Sequence, residues 1–175
     1  MISRPPVSAP APTSDERELL LGYLQFKREA VVATSEGLSE EQVRWTPDGK
    51  LLPIIGVINH LTHVEWRWID GRYVGARFPK RGEEFIVGPD RSIDEVVGAY
   101  WERSRRTEQV VRAAPSLDAP CLGREGTGEP VHVLLELSGP IDLRWAILHL
   151  IEETAHHAGH ADSTREMLDG TKMDR

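Results

Sequence analysis

Six of the seven histidines of this chain gather in two short windows, Asn59 to His63 and His149 to His160. Imidazole is the side chain best suited to hold a divalent metal or to move a proton near neutral pH. The chemistry open to each depends on which way it faces. In the first window Val57, Leu61, Val64 and Trp68 recur at helical spacing, and His60 borders that apolar seam, so it should point at a core. His63 falls instead among Asn59, Arg67 and Asp70 and reads as solvent-facing. In the second window an inward row runs through Leu143, Ile147, Leu150, Thr154, His157, Ala161, Thr164 and Leu168. Glu153 stands one turn before His157 and His160 one turn after it, on adjoining positions of the same stripe. His149, Glu152, His156 and Ser163 form a separate polar stripe, which is expected at the surface.

Burying a carboxylate beside two imidazoles is costly unless the groups are paired or hold a cation. A divalent transition metal on His60, Glu153 and His157 removes that cost. Two histidine nitrogens and one carboxylate are a donor set that zinc uses in catalytic sites, where a fourth position stays open. Nickel, iron or cobalt accept the same donors. The competing reading is structural: each histidine satisfied in a core, and Glu153 paired with an arginine such as Arg144 or Arg28. Other metal patterns fit less well. The zincin motif and a cysteine pair are absent, and Glu153-x-x-His156 is a single copy of a unit that di-iron bundles need twice.

The elements that must position these residues are helical. Thr13 and Ser14 can cap a helix from about Asp15 to Glu36, stopped by Gly37. A short turn follows Ser39, and a second long helix is expected from Pro53 to about Val74. Ser92-Ile93-Asp94-Glu95 is a capping box that opens a third, ended by Pro115, and the last should span Asp142 to Leu168. Residues 115–141 are a long Pro/Gly-rich connection, with a short strand or flap expected at 131–137. The fold class is therefore all-α, a four-helix bundle with long connections. Residues 14–170 form its single domain, between a disordered leader (1–13) and a short tail (171–175).

Composition narrows the function classes. A formal net charge of −7, with basic residues interleaved among acids, argues against a nucleic-acid partner. Cys121 is the only cysteine, so no intrachain disulfide can form, and no basic cluster near it marks a reactive thiol. No apolar run reaches the roughly 20 residues needed to span a bilayer, and the proline-rich start has no apolar signal region. A cytoplasmic location without membrane attachment is expected.

Asn59-His60-Leu61-x-x-Val64-Glu65-x-x-Trp68, followed by His149-Leu150-Ile151-Glu152-Glu153-Thr154-Ala155-x-His157-Ala158-Gly159-His160-Ala161-Asp162, resembles the DinB-like superfamily of four-helix metal-binding proteins. Within it, the chain resembles the branch close to the metal-binding domain of mycothiol-dependent maleylpyruvate isomerase. The resemblance implies metal ligation by His60, Glu153 and His157, the set that the helical faces give independently. It implies a role for His160 as a fourth ligand, a hydrogen-bond partner behind the ligands, or a catalytic base. The function then expected is a metal-dependent S-transferase or isomerase using a low-molecular-weight thiol such as mycothiol, with a small-molecule substrate. The alternative is a non-catalytic, stress-related metal-binding bundle that associates as a homodimer.

Overall fold

The computed structural model describes residues 8–76, 84–122 and 141–172. These form an all-α bundle with no strand among the described residues. Helix α1 spans Glu16–Ala33, and its first amides are satisfied by the Asp15 carboxylate, so Asp15 rather than Thr13 or Ser14 is the cap. The helix ends three residues before the expected Glu36, and Gly37 follows with φ of 71°. A single turn, α2 (Glu40–Val43), is closed by a reciprocal Ser39–Gln42 capping box.

Helix α3 spans Ile54–Glu65, with Pro53 as the residue before its first turn. It does not continue as an α-helix to Val74. From Trp66 to Tyr73 the chain winds as a π-helix, a wider turn that shifts the azimuth of every later side chain. Helix α4 spans Ile93–Ala113 behind the expected Ser92–Glu95 box. Helix α5 spans Leu143–Asp169, capped by Asp142 and ended by Gly170 in the left-handed region that glycine adopts freely. The expected strand or flap at 131–137 lies outside the described residues, as do most of the leader and the tail's last three positions.

Packing joins α1 to α5 and α3 to α4, with α3 also against α5. The core divides into two apolar clusters. One gathers Leu21, Leu24, Trp68, Val111, Ile147 and Leu150; the other gathers Val31, Ile58, Leu61, Val96, Tyr100 and Ala161. On each long helix a buried polar residue falls between them: Arg28 on α1, Glu65 on α3, Thr107 on α4 and Thr154 on α5. Arg28 Nε and Nη2 each donate to a Glu65 oxygen at 2.8 Å, and Thr107 Oγ1 donates to the same carboxylate at 2.6 Å. A buried charge pair is tolerable only with such full pairing.

Candidate metal centre

His60 comes from the middle of α3, directly after a run from Ile54 to Asn59 that is buried on every side of the helix. Glu153 and His157 come from α5, one turn apart. The structure brings these three together: one donor atom from each lies within 4.8 Å of the others. The His60 and His157 rings meet edge to face at 4.7 Å between centroids, and His157 Nε2 lies 3.4 Å from Glu153 Oε2. The histidine side chains are 12% and 10% exposed and the glutamate 29%, so the group sits just beneath the surface and a small molecule can approach it.

The electrostatics suit a cation. The His157 hydrogen bond holds the Glu153 carboxyl down at about 2, with His149 and His60 adding to the effect against the opposing influence of burial. Burial pushes the His60 imidazole below its ordinary value, which favours the neutral ring that ligates metals. Both arginines named above as partners for Glu153 are engaged elsewhere: Arg28 with Glu65, and Arg144 with Glu16 and Asp118. His157 Nδ1 is buried with no hydrogen-bond partner among the described residues. A carboxylate with no arginine or lysine paired to it among the described residues, facing two imidazoles, fits a divalent ion by its donor chemistry.

The loop before α4 supplies a residue that sequence reasoning missed. Glu84, 8% exposed, places Oε2 3.3 Å from His60 Nδ1 and pairs through Oε1 with Arg67. Burial raises the Glu84 pKa, but the His60 bond and the Arg67 charge outweigh it and leave the carboxyl below its usual range. With Nδ1 turned to Glu84, Nε2 of His60 is the nitrogen left for the group on α5. Asn59 Nδ2 donates to the Glu84 carbonyl at 2.7 Å, and Phe85 stacks on the His60 ring at 4.0 Å. Gly56 is what admits this loop, because a Cβ there would overlap the Phe85 carbonyl oxygen.

His160 does not join the three. Its ring lies 5.5 Å from that of His157 and 4.3 Å from that of His156, and its pKa is lowered by burial and by those two neighbours. Its Nδ1 is buried with no hydrogen-bond partner among the described residues. Two surface assignments need correction. His149, expected on an outward stripe, is only 16% exposed: its ring stacks on Trp145 and meets Trp68 edge to face, and Nε2 reaches within 3.7 Å of Glu153 Oε1. It forms a second potential donor group with Glu152 and Glu153. His63 is also partly buried, since its polar neighbours Asn59 and Arg67 are themselves covered. Cys121 is half-buried and its thiol is pushed up to about 11, chiefly by burial, which makes it a poor nucleophile.

No described helix is long and apolar enough to cross a membrane. Compared with known proteins, residues 19–170 match the family model described as Mycothiol-S-transferase. Among curated proteins no match is found.

Proposed function

Because the chain belongs to the mycothiol-S-transferase family, a branch of the DinB-like superfamily, we propose that it is a cytoplasmic, metal-dependent S-transferase that joins a low-molecular-weight thiol to a small electrophile. The family match speaks for the transferase of the two reactions expected from sequence. The observation that carries the metal dependence is the convergence of His60, Glu153 and His157, one donor atom of each within 4.8 Å of the others. When bound there, a divalent ion such as zinc would lower the pKa of a coordinated thiol and so supply a thiolate at neutral pH.

The chain's own residues do the rest. Glu84 and Phe85 hold the His60 ring, the first by its Nδ1 hydrogen bond and the second by stacking. Glu153 and His157 hold each other across one turn of α5. His160 accepts the thiol proton as a base, a role supported by an imidazole kept largely neutral by burial and by its neighbours, beside His157 but outside the ligand group. The thiol sulfur then forms its bond to the electrophilic carbon, and the leaving group departs with the electron pair of the bond that breaks. Among the described residues no fourth histidine joins this donor set, which supports this reading over metal storage.

The test is thiol consumption with mycothiol and an alkylating acceptor. Chelator-treated protein should be inactive, and one equivalent of zinc, nickel or iron should restore turnover. Turnover undiminished by complete metal removal would refute the metal dependence; no turnover with any metal, thiol or acceptor would move the reading to a non-catalytic metal-binding bundle.

A further inference from the structure

On the side of α3 away from its apolar seam, a groove of about 750 Å³ opens between the end of that helix, its π-helical continuation and α4. That volume is in the range of small-molecule sites. Four arginines line it, Arg91, Arg103, Arg105 and Arg106, against two carboxylates, Asp70 and Glu102. In a chain of formal net charge −7 this is a local reversal of sign.

The two acids do not neutralise the four bases. Asp70 is shared by Arg103 and by Arg106, the latter at 3.3 Å. Arg91 is partly buried, yet the partner of its Nη1 is the neutral Asn59 Oδ1 at 2.7 Å, and no carboxylate pairs with it among the described residues. Arg105, on the outer rim, has no ion pair among the described residues either. Trp66 forms one wall, and the Arg103 guanidinium lies over its ring at 4.8 Å, which holds that side chain in place. Glu95 acts on Arg91 through space while its carboxylate caps α4 at Ser92, so the Arg91 guanidinium still gains by pairing with an anion, and its fork of donors suits planar or tetrahedral oxyanions.

We propose that this groove is a second binding site, for a small anion bearing a carboxylate or a phosphate, with Arg91 as its principal contact and Arg105 at its rim. The site is separate from the metal group and does not depend on thiol transfer.

Nuclear magnetic resonance titration of the full-length protein tests it, with inorganic phosphate and acetate as probes and sodium chloride at matched ionic strength as the control. Saturable shifts of the Arg91 side-chain Nε–H and the Trp66 indole N–H are expected, with a dissociation constant in the millimolar range or tighter for at least one probe. Arg91→Gln should weaken binding about tenfold or more. Arg105→Gln, at an exposed position whose loss cannot unfold the protein, should weaken it several-fold, whereas Lys50→Gln outside the groove should change nothing. Linear shifts that chloride reproduces, or equal curves for wild type, Arg91→Gln and Arg105→Gln, would overturn the proposal.

Discussion

Replacing Glu84 by glutamine is a sharp test of how the metal group is held, because it removes a charge while nearly keeping a shape. The carboxylate lies 3.3 Å from His60 Nδ1, and the loop that carries it is held separately by Asn59 on the Glu84 carbonyl and by Phe85 on the imidazole. The loop should therefore stay in place in Glu84→Gln, while His60 Nδ1 loses its charged acceptor and with it the fixed choice of Nε2 as ligand. Loss of such a partner behind a metal-binding histidine typically weakens affinity about 10- to 100-fold, which is about 1.4–2.8 kcal/mol. Arg67 pairs with the other Glu84 oxygen, so in the glutamine variant the guanidinium takes the amide oxygen and the NH2 group faces Nδ1; both Glu84→Gln and Glu84→Ala should fall toward the upper figure. Zinc affinity measured by competition with a chromophoric chelator gives the magnitude, and the nitrogen-15 shifts of the His60 ring report the tautomer directly. Affinity within twofold of wild type, with the His60 tautomer unchanged, would show that Glu84 does not position this ligand.

Three further outcomes are expected. His60→Ala, His157→Ala and Glu153→Ala should each weaken metal binding by more than Glu84→Gln does, and Glu152→Ala and His156→Ala, at exposed positions, by little; His149→Ala should fall between the groups because its Nε2 reaches Glu153. The same chelator competition reads all six. Glu65→Ala strands Arg28 without its buried partner and should lower stability by about 3–5 kcal/mol in urea unfolding, whereas the double replacement Arg28→Leu with Glu65→Leu should recover most of the loss; equal losses for the single and double variants would refute the pairing argument. Gly56→Ala forces a methyl into the Phe85 carbonyl and should cost about 1–3 kcal/mol and weaken metal affinity as well, because the loop it displaces is the one that holds His60.

The bundle and its three convergent donors were legible because both follow from helical period alone. Buried rows repeat along α3 and α5, and His60, Glu153 and His157 fall on or beside them. Glu84 was not legible: it sits in a Pro/Gly-containing connection with no period, and its contact with His60 spans 24 positions. His149 was misplaced for a different reason. A helical wheel assigns a direction to a side chain but not the reach of its neighbours, and Trp68 and Trp145 are large enough to cover a flanking position. Asp70 was read as lying on an open polar face, but α4 covers that face: Asp70 lines one groove with Asn59 and His63 and meets Arg103 and Arg106. In the sequence Arg28 is a candidate partner for Glu153 and Glu65 has none; only tertiary packing joins the two.

The polar layer between the two apolar clusters acts as a key in a lock for helix rotation. Aliphatic seams alone tolerate a helix that slips or rolls by one position, since one leucine replaces another at little cost. Arg28, Glu65 and Thr107 remove that freedom, because a roll of α3 by a single residue, about 100°, would carry the Glu65 carboxylate out of reach of the guanidinium and leave Arg28 with only its longer contact to Glu108 at 3.4 Å. His60 rides on the same rigid helix, a turn and a half before Glu65, so its azimuth is set by a charge pair that never touches it. The bundle thus aims its imidazole from the inside, and variants that soften the layer should blur the donor geometry before they melt the fold.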